Sequence, residues 1–244
     1  MLIEKYFELL KGHIDALAAR LEPIQQAARL CAEALARGGV IHVFDSGHLV
    51  SHELINRAGG LVALSRLEFN LNVTNPVKAR AAGPTAEGNA LSYGYIEHIF
   101  DANQLRQGDV LFVGSVSGKT ANVVELTLQA RAHGLTVIAI TAMAYSPQLV
   151  SEHPSGKHLY EAADLVLDNG APYGDAMLAV DGLDYPICPA SGIGAVTLLW
   201  AVVAGIVEEM LARGMEPTVF PSVNRPEGRA LVSQAEAEAL RKGY

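Results

Sequence analysis

Val110-Leu111-Phe112-Val113-Gly114-Ser115-Val116-Ser117-Gly118-Lys119-Thr120 is the stretch on which the fold turns. Its first four residues form a continuous apolar run, the pattern of a strand buried on both faces of a parallel sheet. The residues after it read as a helix over about 120–133, closed by Gly134. Between strand and helix, glycine permits backbone angles that aim successive N–H groups inward. The new helix adds unsatisfied donors and the positive end of its dipole. Ser115, Ser117 and Thr120 contribute hydroxyls at a spacing that can surround one tetrahedral anion. A helix cap calls for only one such hydroxyl. Three of them with two glycines, after a buried strand, point to a phosphate site.

The same pattern repeats outward from this stretch. Val40-Ile41-His42-Val43-Phe44, Thr136-Val137-Ile138-Ala139-Ile140 and Leu165-Val166-Leu167 read as buried strands, and Ala176–Val180 is a candidate fifth. Helix is expected over 2–37, where Leu10, Ile14, Leu17, Leu21 and Ile24 recur at spacings of three and four, with Pro23 as a kink or break. Further helices are expected between the turn Asp45-Ser46-Gly47-His48 and Gly59-Gly60, near 95–105, around 158–163 and over 193–213. Strands alternating with helices predict an α/β protein with a doubly wound, mostly parallel five-stranded sheet. Ligands of such sheets lie beyond the carboxyl ends of the strands, where both glycine loops fall. Residues 216–244 contain three prolines and read as an extended arm ending in a short helix.

Composition narrows the function. Half of the 244 residues are apolar and 18% are charged, a low share for the surface of a monomer, so burial between subunits of a homodimer or homotetramer is expected. A net charge of −8 argues against a nucleic-acid partner, which calls for clustered Lys and Arg, but not against a small phosphate held by amides and hydroxyls. Cys31 and Cys188 stand far apart, which suits a reducing, cytoplasmic setting, and the acidic start MLIEKYFELL is unlike a signal peptide. The uncharged stretch from Tyr185 to Val207 is broken early by Pro186 and Pro189. Its helical remainder would span about 22 Å, short of the roughly 30 Å a bilayer core needs, so a core or interface helix is expected and no membrane.

A nucleotide P-loop needs four residues between its first glycine and the Gly-Lys pair. Here three separate Gly114 from Gly118, so the spacing fails. Ser115-x-Ser117-Gly118-x-Thr120 instead resembles the phosphosugar loop of the SIS (sugar isomerase) domain family, which includes phosphoheptose isomerase and N-acetylmuramic acid 6-phosphate etherase. The resemblance covers about residues 35–215. It is strongest to stand-alone SIS proteins of poorly defined function, through the glutamate before Arg57-Ala58-Gly59-Gly60 and the stretch His153-Pro154-Ser155-Gly156-Lys157. It implies one flavodoxin-like domain over 1–244, with a helical segment at 2–37, an α/β core at 38–215 and an arm at 216–244. It further implies a sugar-phosphate ligand and aldose–ketose isomerisation without a cofactor. A lyase or etherase reaction, or sensing without catalysis, are the alternatives.

Isomerisation needs a base beside the carbonyl while the phosphate is held elsewhere. The resemblance gives that part to Glu53, with His48 also at the ligand; the plain alternative for Glu53 is an i,i+4 ion pair with Arg57. Ser115, Ser117, Gly118, Lys119 and Thr120 would bind the phosphate, and Ser46, Gly47 and His153 the sugar. His48 and His52 have metal-chelating spacing but no evident third ligand, so no metal is expected. Two positions depart from the family pattern. Asp45 stands where glycine is usual and would repel phosphate, and Leu49 replaces a hydroxyl donor.

Overall fold

In the computed structural model of the chain, which describes residues 1–47, 51–69, 94–102 and 104–244, the apolar run at 110 is the middle strand of a five-stranded parallel sheet. In chain order its strands are β1 (Ile41–Asp45), β2 (Leu64–Arg66), β3 (Val110–Gly114), β4 (Thr136–Thr141) and β5 (Leu165–Asp168), arranged β2-β1-β3-β4-β5. Every residue of β3 is buried, as a strand covered on both faces requires. The alternation of side chains divides it between two cores. Val110 and Phe112 pack among residues of the flanking helices α2 (Leu21–Ala36) and α7 (Ser191–Ala212), while Leu111 and Val113 pack with α4 (Ile96–Ala102) and α5 (Ala121–Ala132).

The helical reading of 2–37 resolves into α1 (Leu2–Ala18) and α2. Pro23 does not kink a helix. It sits in the first turn of α2, where a missing N–H forfeits no intrahelical bond. Helix α2 lies along α7, and a Cβ added to Gly205 would stand 2.7 Å from the Ala28 Cβ, so glycine there sets how near the two helices run. Helix α7 is longer than its sequence remainder indicated. Its 22 residues span about 33 Å, so length alone does not separate core from membrane helix. One face of it packs in the core shared with α2, where Leu198, Leu199, Val202, Val203, Ile206 and Met210 are all buried.

The fifth strand of the sheet is a correction to the sequence reading. It is β2, on the edge beside β1, whereas Ala176–Leu178 (β6) lies outside the sheet and pairs antiparallel with Ile187–Pro189 (β7). The cause lies just before β6. Gly174 and Asp175 both adopt left-handed backbone, and the Asp175 carboxylate accepts hydrogen bonds from the Ser191 N–H and hydroxyl, each at 2.8 Å. That turn ties β6 to the start of α7 instead of to β5. The C-terminal arm is also more structured than expected, with α8 (Gly228–Lys242) running for 15 residues.

Candidate functional site

The strand order reverses between β1 and β3, so the loops leaving these neighbours open side by side at the carboxyl edge. Asp45, the last residue of β1, is in register with Gly114, the last of β3, and the Ser46 N–H donates to the Gly114 carbonyl at 3.0 Å. An atom at the Cβ position of Gly114 would lie 3.5 Å from Asp45 Oδ1, in ordinary contact, so the two strand ends lie side by side. Asp45 also folds its own turn, accepting from the Gly47 N–H at 3.0 Å. Ser46 and Gly47 thus stand exposed beside the loop that follows β3.

The loop from Ser115 to Thr120 is held from below. Ser115 is buried, its N–H donates to Ile140 O at 3.0 Å and its Oγ accepts the Gly118 N–H at 3.3 Å. Thr141, at the end of β4, donates its hydroxyl to Val116 O at 3.0 Å. Gly118 has φ of +56°, and a Cβ there would sit 3.1 Å from each of Leu159 Cβ, Ser146 Oγ and Thr141 Oγ1. The carbonyls of Gly118 and Lys119 accept from Leu159 and Glu152 at 2.8 and 2.9 Å. With the carbonyls engaged inside the fold, the donors remain. Among the described residues the N–H groups of Ser117, Lys119, Thr120 and Ala121 meet no protein acceptor. Thr120 is the N-cap of α5, yet its hydroxyl makes no cap bond. Half-buried Ser117 and Thr120 and these amides without acceptors therefore lie together at the start of α5, the positive end of its dipole. Such an arrangement can receive an oxyanion.

The three hydroxyls expected around an anion are not equivalent. Ser115 closes the loop on itself, leaving Ser117 and Thr120 as the uncommitted pair. Lys119 is exposed and bonded to Glu152 at 2.6 Å, and that bond holds its ammonium above the ordinary lysine range. His153 is buried beneath the loop that follows β4. Its Nε2 meets Glu125 Oε2 at 2.8 Å, which ties that loop to α5, while its Nδ1 meets Ser155 Oγ at 2.7 Å within the loop itself.

Glu53 rides on α3 (Ser51–Leu54), a single turn after the β1 loop. Its carboxylate pairs with Arg57 at 3.1 Å, and Glu53 is among the residues lining a cavity of about 490 Å³ with Pro189, Ser191, Gly192 and Thr197 at the start of α7. The ion pair is the plain alternative stated for Glu53, and none of the loop residues 115–120 lines the cavity beside it. His48 and Leu49 lie outside the described residues, as does the side chain of His52. Among the described residues no cluster of His, Cys, Asp or Glu has the form of a metal site.

Sequence reasoning missed Thr141 and Ser146, fully buried hydroxyls beneath the loop, and the wall that α7 adds beside Glu53. The only local sign of the first was the glycine at 118, whose left-handed backbone turns the loop over them.

A β2-β1-β3-β4-β5 parallel sheet with two glycine loops at its reversal defines a flavodoxin-like α/β protein with its ligand edge at β1 and β3. Residues 5–142 match the SIS domain family, and the chain belongs to it. A UPF0309 protein of Streptomyces avermitilis is 38% identical over 207 residues, which cover 83% of this chain and 80% of that protein. Among solved structures, phosphoheptose isomerase from Neisseria gonorrhoeae superposes with a TM-score of 0.51 at 20% identity, over 84% of this chain and 97% of its own. The Vibrio vulnificus NanR protein complexed with ManNAc-6P gives 0.50 at 13%, over 99% of this chain and 69% of its own. At these identities both structures speak for the fold.

Proposed function

We propose that the chain binds a phosphorylated sugar, with its phosphate on the Ser117–Thr120 side of the loop, and catalyses aldose–ketose isomerisation. The observation that carries this reading is the set of uncommitted donors at the start of α5: backbone N–H groups and two hydroxyls without protein acceptors, on a loop whose carbonyls are engaged elsewhere. Peptide N–H groups fixed in advance bind an anion without an additional cation. That Lys119 is already paired with Glu152 fits this economy.

With the phosphate so placed, the sugar extends toward the β1 loop and Glu53. The carboxylate would remove the proton from carbon two of the aldose, giving an enediol, and return it to carbon one, while a proton passes between the two oxygens. His48, by resemblance, is the group for that second transfer. Ser46 and Gly47 border the sugar, and His153 supports the site by fastening the loop after β4 to α5. Exposed Ile3, Phe7 and Ile14 on α1 support assembly into a dimer or tetramer, which light scattering of the eluted protein measures directly.

Thermal-shift screening with hexose, amino-sugar and heptose phosphates tests binding, and deuterium incorporation at carbon two in D₂O tests the chemistry. Ser117→Ala and Thr120→Ala should each weaken binding by about 1–3 kcal/mol, the cost of leaving a charged acceptor unsatisfied. Binding without deuterium exchange would convert the reading to a sensor. Unchanged affinity in both variants would remove the site altogether.

A further inference from the structure

Glu53 has little local structure to aim it. Helix α3 is four residues long, and a single helical turn is not stable by itself in water, so its side chains point where tertiary contacts hold the chain. Helix α3 itself packs against β1 and α7, and the chain that follows it is held by the far end of the sequence. The segment just after α3 is stitched to the C-terminal arm by three backbone hydrogen bonds. Gly59 N–H donates to Phe220 O at 2.9 Å, Phe220 N–H to Gly60 O at 2.9 Å, and Val62 N–H to Thr218 O at 3.0 Å. Leu61 and Val219 form the antiparallel bridge at their centre. A Cβ added to Gly60 would stand 3.1 Å from Arg57 O, so the turn is tight, and 3.5 Å from the Trp200 ring of α7, in ordinary contact.

Arg57 begins this stitched turn and carries its position to the carboxylate, through the 3.1 Å pair with Glu53. Arg57 also lines a cavity of about 460 Å³ together with Phe220, Asn224 and Glu236, and its side chain is half exposed. It is therefore not clamped by close packing. What sets its place is the backbone turn on one side and Glu53 on the other. We infer that Arg57 is a positioning residue for Glu53 and that the arm strand at 218–220 is the brace that holds it in place. The arm, outside the residues 5–142 that match the family, would thus be part of the catalytic apparatus. This rests on the reading of Glu53 as the base.

The test uses the full-length protein and a phosphosugar selected in the thermal-shift screen. Arg57→Gln is expected to slow deuterium incorporation at carbon two about tenfold, with the dissociation constant of the phosphosugar changed less than twofold. Phe220→Pro, which removes the N–H donated to Gly60, should slow it similarly and speed amide hydrogen exchange across 53–62. In Glu53→Gln, adding Arg57→Gln should bring no further loss. Arg57 is half exposed, so its replacement leaves the core intact if Phe220→Pro does not fold. If Glu53→Gln abolishes incorporation while Arg57→Gln and Phe220→Pro do not slow it, the brace is refuted and the base stands. If Glu53→Gln leaves incorporation unchanged, the base reading falls and takes the positioning role with it.

Discussion

Replacing Gly118 with alanine tests the loop geometry most directly. Two costs add at this residue. A φ of +56° puts an L-residue in the left-handed region, at roughly 1–2 kcal/mol. The new methyl would also stand 3.1 Å from Leu159 Cβ, Ser146 Oγ and Thr141 Oγ1, tighter than ordinary contact on three sides, and such overpacking costs about 1–3 kcal/mol. The sum is about 2–5 kcal/mol. For a domain of this size it corresponds to a fall in Tm on the order of 10 °C, at roughly 2–4 °C per kcal/mol. Gly156 supplies the control, because its φ of +72° is equally left-handed while nothing lies within 4 Å of a Cβ there. Gly156→Ala should therefore cost only the backbone share, about 1–2 kcal/mol. Urea midpoints and thermal melts of the two variants, each with and without phosphosugar, separate the terms. The difference between them is the packing beneath the loop. Gly118→Ala should also lose binding, since relief of the clash moves the N–H groups of Ser117 and Lys119. Equal stability of the two variants, or full affinity in Gly118→Ala, would refute the clamped loop.

Lys119→Gln should weaken phosphosugar binding by less than about 1 kcal/mol, as expected for an exposed cation already shared with Glu152, whereas Thr120→Ala should cost more; titration calorimetry ranks the two. His13 is held below the ordinary histidine range by burial first and by Arg20 second, against raising contributions from Asp168 and Asp175. The folded state therefore favours the neutral ring. This contribution to stability is complete above the unfolded value of about 6.5 and is lost as pH falls through the lower folded value. Melts at pH 7.5 and pH 5 should show a larger acid loss in the parent than in His13→Gln, and equal losses would refute it. Burial pushes the Cys31 thiol up, while Cys188 is partly exposed. Iodoacetamide should thus modify Cys188 in the native protein and Cys31 only after denaturation, as mass spectrometry can show.

How far the sequence led depends on how local the determinants were. The strands at 41, 110, 136 and 165 were legible because a parallel strand covered on both faces must be apolar throughout, and each run ends at a turn. Edge strand β2 was not, because in Leu64-Ser65-Arg66 only Leu64 is buried and three residues carry no period. Ala176–Leu178 looked like a sheet strand from its composition, yet the left-handed Asp175 and its bonds to Ser191 redirect it, a long-range tie that no window of residues contains. The strand-to-helix turn at Gly114–Thr120 could be read for the opposite reason. Strand end, glycine, hydroxyls and helix start fall within eleven consecutive residues, 110–120. That Ser115 would spend its oxygen on Gly118, and that His153 would fasten a loop to α5, depended on partners the spacing did not reveal. The ties between 59–62 and 218–220 join segments more than 150 residues apart.

The departure at Asp45 shapes the ligand that the two loops together would accept. Asp45 and Gly114 end adjacent strands in register, so a carboxylate stands at the head of one loop and N–H groups without a protein acceptor among the described residues lie on the other. Two anionic groups of a ligand cannot both be accommodated there, because at about 4 Å like charges repel by several kcal/mol in a partly desolvated site. A ligand with a single phosphate at one end and hydroxyls or an ammonium at the other meets complementary groups at both. Part of the Asp45 carboxylate is already used by the Gly47 N–H, which fixes its direction. Asp45→Asn keeps an oxygen to accept that bond while removing the charge. Sugar bisphosphates should then gain affinity relative to monophosphates, and amino-sugar phosphates should lose it. A preference that stayed the same in this variant would mean that the β1 loop does not see the ligand.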